Sequence, residues 1–314
     1  MAQYTIGIDI KDTIRSAMER WLYKKKAKDV KVSSFERLLT SYDLMNRYRI
    51  SNVRLIDLCT EDVQDFIDKL IEDKYSMSTI KKQYNLLTGF IRYLIGEGVP
   101  VRPAYVNASI PKRERVKKPP KKVEAYDPDE QKRLKQAISN LNTTGANAAL
   151  LMMETGARVG EILALKWDDI IWQRRAVSIH STLVNLQSRK KCFVQDSAKS
   201  TASKRTIPLS KVAIEMLMRI RSESDGLIFT APDGHTPIGY NTLRNQIMDV
   251  CEDAGVDYRG MHVFRHTFAT NAFYKGCEIK ILSKLLGHAS VTITYNTYIH
   301  LYGDALEEMR SIVD

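Results

Sequence analysis

Pro119 and Pro120 stand side by side in "IPKRERVKKPPKKVEAYDPDE", and that pair excludes helix. The stretch carries seven basic residues, Lys112, Arg113, Arg115, Lys117, Lys118, Lys121 and Lys122, and no apolar period runs through it. It reads as an extended, strongly positive linker between two folded parts. A chain of 314 residues is long for one domain and comfortable for two. A charge run is usually just solvated, but one that joins two domains of a basic protein is well placed to lie along a phosphate backbone.

The part before the linker reads as four amphipathic helices. Ile10, Ile14, Met18 and Trp21 recur at helical spacing, and so do Phe35, Leu38, Leu39, Tyr42 and Met45. "CTEDVQDFIDKLIEDK" offers Thr60 as an N-cap, and its stripe is Val63, Phe66, Ile67, Leu70 and Ile71. The fourth helix starts at Ser76 or Ser78 and ends at Gly96 or Gly98.

After the linker, Asp127, Pro128 and Glu130 give an N-cap, a proline at the first helical position and a capping-box acid. Helices follow to about Trp167. "AVSIHSTLV", "KKCFVQD" and "KRTIPLS" then read as strands, and helices return from Lys211. The expected organisation is a helical domain over 1–106, a linker over 107–125, a second domain over 126–302 and a tail helix over 303–314.

The net charge of +11 favours a polyanionic partner, either nucleic acid or an acidic membrane face. No stretch approaches the ~20 apolar residues of a membrane span, and the start lacks the marks of a secretory signal. Cys59, Cys192, Cys251 and Cys277 form no C-x-x-C pair and read as small buried hydrophobes of a reducing, cytoplasmic setting. No phosphate-binding glycine motif is present, so nothing points to a nucleotide.

Arg158 lies just after a glycine turn at a helix start, in "TGARVGEILALKW". A cation at an already positive helix end attracts an anion, and phosphate is the obvious one. The bland alternative is a surface arginine paired with Glu161. Lys199, between two strands, is either a solubility residue at a hairpin tip or a proton donor. In "MHVFRHTFATNAFYKG", His262 and Arg265 share a helix face, His266 points about 100° away, and Phe264, Phe268 and Phe273 anchor the helix in the core. His262 and His266 also have the i, i+4 spacing of metal ligands, but Arg265 stands where a zinc helix has no cation. His288 follows in "LGHAS", where a structural hydrogen-bonding role is the ordinary reading. Tyr295, Tyr298 and Tyr302 come next.

Taken in order, "TGARVGEILALKWDDI", "KSTASKRTIPL", "HVFRHTFAT" and "LGHASVTITYNTYIH" resemble the tyrosine recombinases, the integrases of phages and mobile elements. The match spans the whole second domain. It implies a mainly α fold with a small antiparallel β-sheet, in which a helical, SAM-like core-binding domain and a mixed α/β catalytic domain form a C-shaped DNA clamp. It implies strand exchange on double-stranded DNA through a 3′-phosphotyrosyl link and a Holliday junction, with no metal, nucleotide or other cofactor. The resemblance assigns Tyr298 as nucleophile, Arg158 and Arg265 to the phosphate, His262 and His288 either to the same oxygens or to shuttling the nucleophile's proton, Lys199 as general acid, and Glu161 as an orienting acid. Tyr295 falls where the family tolerates varied residues. A homo-tetramer on DNA, a tail docking on a neighbouring protomer, and an excisionase or DNA-bending accessory protein are further expectations, as is a nucleoid-associated location. A non-catalytic regulator on the same fold would lack a catalytic side chain, and none is missing. A type IB topoisomerase shares the chemistry. With only about ten residues before the first predicted helix, the simpler two-domain kind is expected, or else a shortened chain.

Overall fold

The computed structural model describes residues 7–27, 32–110, 125–186, 191–196, 204–222 and 226–298. The chain forms two compact units, residues 1–121 and 122–314.

The first unit holds α1 (Ile14–Ala27), α2 (Val32–Met45), α3 (Thr60–Glu72) and α4 (Met77–Gly96). The apolar stripes are what these helices bury. Val63, Phe66, Ile67 and Leu70 of α3 go inside, as do Ile80, Leu87, Ile91 and Leu94 of α4. Trp21 fixes α1 to α4, its ring 5.4 Å from that of Phe90 and 6.0 Å from that of Tyr93. At the start of α4 the Ser76 hydroxyl accepts from the Thr79 N–H. The cap of α3 corrects the sequence reading: Cys59 stands at the N-cap and Thr60 is the first helical residue. The Asp62 carboxylate reaches back to the Cys59 N–H at 3.2 Å, and that reach sets where the helix begins. This use leaves Cys59 half-buried rather than buried, and Cys277 is half-buried too, whereas Cys251 is buried.

The second unit contains α5 (Pro128–Leu141), α6 (Thr144–Thr155), the single turn α7 (Val159–Ile162), strands β1 (Ile170–Ile171), β2 (Ala176–Ile179), β3 (Ser181–Leu186), β4 (Lys191–Asp196) and β5 (Arg205–Pro208), and then α8 (Lys211–Arg219), α9 (Tyr240–Asp253), α10 (His262–Tyr274), α11 (Ile279–Leu286) and α12 (Val291–Tyr298). The Asp127 carboxylate accepts from the Glu130 N–H at 2.8 Å, and the Asp127 N–H donates to Glu130 at 2.9 Å, so the capping box forms as read. α6 is buried over residues 145–153 and packs against α5, α9 and α10. Gly145 permits the close approach to α9, because a Cβ there would lie 2.6 Å from Gln246 Cβ.

The run "AVSIHSTLV" is not one strand. β2 belongs to a three-stranded antiparallel sheet of order β1-β2-β5, while β3 pairs with β4 in a separate hairpin. The reason lies in the partner. β5 begins at Arg205, opposite Ile179, so past Ile179 its edge has run out. Ser181 takes up a new partner, Asp196 of β4. Between them, the His180 ring lies 2.6 Å from the Asp169 carboxylate. Among the described residues no helix is long and apolar enough to cross a membrane.

Phe264 is fully buried in the main core of this unit. Phe268 and Phe273 instead pack half-buried on a small separate cluster of Ala269, Leu282, Leu286 and Tyr298. That cluster ties α10, α11 and α12 together.

Candidate active site

The C-terminal end of α11 organises the site. The last carbonyls of a helix lack intrahelical partners and carry the negative end of its dipole. Here three successive ones each accept from a different arginine. Leu285 O accepts from Arg205 Nε at 2.6 Å, Leu286 O from Arg265 Nη2 at 2.8 Å, and Gly287 O from Arg158 Nη2 at 3.0 Å. Three cations that would otherwise repel are thus gathered at one point.

One carboxylate completes the arrangement. Glu161 is 6% exposed. Its oxygens accept from Arg205 Nη1 and Nη2 at 3.1 and 2.7 Å, from Arg158 Nη1 at 3.0 Å and from the Arg158 N–H at 2.8 Å. Burial alone would push the Glu161 carboxyl up, but Arg205 first and Arg158 second hold it below its usual range.

Arg158 stands at the N-cap of α7, immediately after the turn that ends α6. Gly156 closes that turn at φ +65°, and a Cβ there would lie 2.3 Å from the Phe268 ring. Arg158 keeps 42% of its side chain exposed, so it pairs with Glu161 and still presents a face outward. Arg265 is 3% exposed and also donates to Gly156 O at 2.8 Å. These two bonds leave further N–H groups of its five for an anion. Burial, and then the Arg158 charge, pull the Arg265 guanidinium down to about 10, which keeps it charged at neutral pH.

Gly287, at φ +65°, ends α11 in the left-handed conformation. A Cβ there would come within 2.8 Å of Arg205 Nη1. Gly287→Ala is expected to cost about 1–3 kcal/mol and to lower Tm by several degrees in a thermal melt. An unchanged Tm would show that the arginine cluster yields freely.

His288 follows this glycine, its Nδ1 2.7 Å from the buried Thr294 hydroxyl. Burial and the charges of Arg265 and Arg158 pull the His288 imidazole down to about 4. His262, the first residue of α10, packs its ring against His266 edge-on at 4.9 Å. Burial, His266, Arg265 and Arg158 lower it to about 4 as well, although one side of the ring stays open to solvent. Both rings are therefore neutral at pH 7. Tyr298 ends α12, is 3% exposed, and has its hydroxyl 3.1 Å from His266 Nδ1. Burial pushes its phenol up to about 12, against the pull of the Arg265 charge. Tyr295, one turn earlier, is 45% exposed. A cleft of about 460 Å³ lined by Arg244, Arg259, His262, Arg265 and His266 opens beside these groups.

The structure thus brings together Arg158, Glu161, His262, Arg265, His288 and Tyr298 from across the sequence. Lys199, the linker residues Lys112, Arg113, Arg115, Lys117, Lys118, Lys121 and Lys122, Tyr302 and the tail lie outside the described residues. Two members were missed. Arg205 carried a signal, because β-alternation puts it on the face of the fully buried Ile207, and an inward arginine needs an acid. His266 was read as pointing elsewhere or as half of a metal pair, but in the fold it reaches Tyr298.

An arginine cluster, neutral imidazoles and a buried phenol make a site for an oxyanion with a nucleophile beside it. The comparisons agree with that chemistry. Residues 124–304 match the phage integrase family. The chain is 26% identical over 324 residues to a XerC-like tyrosine recombinase of Caldanaerobacter subterraneus subsp. tengcongensis, covering 94% of this chain and 81% of that one. It is 26% identical over 281 residues to the ICEBs1 integrase of Bacillus subtilis, covering 79% and 75%. In fold it is similar to the Tn1549 transposon integrase in complex with transposon right end DNA, with a TM-score of 0.81 at 15% identity over 96% of this chain and 100% of that one. A lambda integrase tetramer bound to a Holliday junction has the same fold, with a TM-score of 0.66 at 19% identity over 92% and 78%. With more than half its length matched by the family model, the chain belongs to the phage integrase family and is a tyrosine recombinase, an enzyme of DNA strand exchange.

Proposed function

We propose that this chain integrates and excises a mobile element by cutting and rejoining double-stranded DNA at specific sites, with Tyr298 as the nucleophile. The observation that carries the reading is a buried tyrosine packed on Leu286, the residue whose carbonyl accepts from Arg265 of the arginine cluster. Attack on the scissile phosphorus gives a 3′-phosphotyrosyl bond and releases a 5′-hydroxyl. A 5′-hydroxyl of the partner duplex then displaces the tyrosine. A phenolate leaves more readily than an alkoxide, which keeps the exchange reversible.

Arg158 and Arg265 take the non-bridging oxygens, where extra negative charge develops in the transition state. His262 and His288, neutral in the free protein, donate N–H bonds to the same oxygens. Lys199 protonates the departing 5′-oxygen. Glu161 acts through Arg158 and Arg205, which it holds in place. The basic residues from Lys112 to Lys122 follow the phosphate backbone and join a helical core-binding domain to the catalytic one. A homo-tetramer is the working assembly, in keeping with the lambda integrase tetramer on a Holliday junction. Docking of residues 303–314 on a neighbouring protomer, and help from an excisionase or a DNA-bending protein, complete the reading.

The test is a nicked suicide duplex that carries the recombination site, which binding selection from a random library supplies. The expected product is a denaturant-resistant adduct whose peptide maps to Tyr298. No adduct on a tightly bound site, or an adduct mapped elsewhere, would overturn the reading.

A further inference from the structure

Cleavage by a tyrosine needs somewhere for the phenolic proton to go, and the family resemblance offers His262 and His288 for that shuttle. Burial pushes the Tyr298 phenol up to about 12, still further above neutral pH than an ordinary phenol. His288 has its Nδ1 engaged with Thr294, and His262 lays its ring against His266 rather than against the phenol. The imidazole at the Tyr298 oxygen is that of His266, with Nδ1 3.1 Å away and the two rings inclined at 62° with centroids 6.0 Å apart.

The position is built rather than incidental. His266 lies one turn after His262 and directly after Arg265 on α10, so the helix that holds the phosphate-facing arginine also holds this ring. Tyr298 is fixed opposite by its packing on Ala269, three residues further along the same helix, and on Leu286 of α11. The hydroxyl therefore meets His266 and the Arg265 charge from one rigid element.

We propose that His266 is a catalytic residue, the proton acceptor for Tyr298. The assignment rests on the reading of Tyr298 as nucleophile. In the forward step the O–H bond of Tyr298 breaks and its proton passes to His266 Nδ1, with Nε2 carrying the ring hydrogen beforehand. The phenolic oxygen forms the bond to phosphorus as the bond to the 5′-oxygen breaks, and that oxygen takes its proton from the leaving side, from Lys199. On rejoining, the incoming 5′-hydroxyl gives its proton to Lys199 as its oxygen bonds to phosphorus, and the imidazolium returns the other proton to the departing phenolate. The cycle is redox-neutral and each residue ends as it began.

The experiment separates the attacking side from the leaving side. Wild type, His266→Gln, His266→Phe and Lys199→Ala are compared in single-turnover cleavage of a nicked suicide duplex. Each is given two versions of the substrate, one with the ordinary phosphodiester and one with sulfur in place of the bridging 5′-oxygen. A thiolate leaves without a proton, so sulfur relieves only the leaving side. Both His266 variants are expected to cleave about 10²-fold slower or worse with either substrate, while Lys199→Ala recovers with sulfur. Glutamine can still accept a hydrogen bond from the tyrosine but cannot take its proton, so its defect separates proton transfer from simple alignment. If His266→Phe fails to melt or bind DNA like wild type, His266→Gln alone decides. Wild-type or faster cleavage by His266→Gln, as a parked and idle tyrosine would give, overturns the assignment, and so does rescue of that variant by sulfur. A wild type that forms no adduct would strike the recombinase reading itself, whereas an adduct-forming wild type beside an undiminished His266→Gln strikes this assignment alone.

Discussion

A Tyr298→Phe protein is expected to bind its DNA site as wild type does and to form no covalent adduct, a loss of at least about 10⁴-fold in cleavage. The substitution removes one oxygen and leaves the ring. Tyr298 is 3% exposed, and its ring packs with Ala269, Leu282 and Leu286, contacts that phenylalanine keeps. What is lost in the fold is one hydrogen bond to His266, worth about 1 kcal/mol, which is too little to unfold the unit. An absent adduct in a protein with near-normal Tm is therefore chemical. Tyr295 is the control, because it sits one helical turn earlier and is 45% exposed. Tyr295→Phe is expected to cleave near the wild-type rate. The opposite pattern, an adduct kept in Tyr298→Phe and lost in Tyr295→Phe, would move the nucleophile by three residues.

The capping box at Asp127 was legible because its parts lie within four residues, and the stripes of α3 and α4 because helical periodicity is a local property. Strand β2 was misread because its end is set by where β5 stops, and no property of "AVSIHSTLV" records that. The site divides the same way. Arg158, Glu161, Arg265, His262, His288 and Tyr298 were singled out through resemblance and motif order, not through any single spacing, and the fold gathers them. What stayed hidden was the means by which the arginines tolerate one another. It depends on carbonyls of residues 285, 286 and 287, and a backbone oxygen has no sequence signature. Arg205 showed in the sequence only as an inward-facing arginine of β5, and its partners exist only once β5 lies beside α11. His266 was visible as a residue and wrongly placed, because helical geometry gives the angle to His262 but not the location of α12.

Glu161→Gln is the second large effect, and it falls on stability. The carboxylate sits between Arg158 and Arg205, and the Arg205 side chain is only 7% exposed. Glutamine keeps the shape but turns an amide towards one guanidinium and removes the charge that both arginines face. Breaking a buried pair from one side costs about 3–5 kcal/mol, so Tm is expected to fall by roughly 10 °C at neutral pH. The pH dependence identifies the cause. Glu161 has its folded pKa held below the usual 4.5, so its contribution is complete above that value and is lost as pH falls through the lower, folded one. His262 and His288 work in a different window. Their folded values of about 4 lie below the ordinary 6.5, so between these the unfolded chain binds protons that the folded chain does not. Stability should therefore decline from about pH 6.5 towards pH 4 in wild type and variant alike, with the gap between them nearly constant. As pH falls below 4.5 the contribution of the Glu161 charge shrinks in wild type alone, and the gap should narrow. Melting both proteins from pH 8 to pH 3 reads each window separately. A gap that does not narrow at all below pH 4.5 would mean that the shape of Glu161, rather than its charge, holds Arg158 and Arg205 against the end of α11.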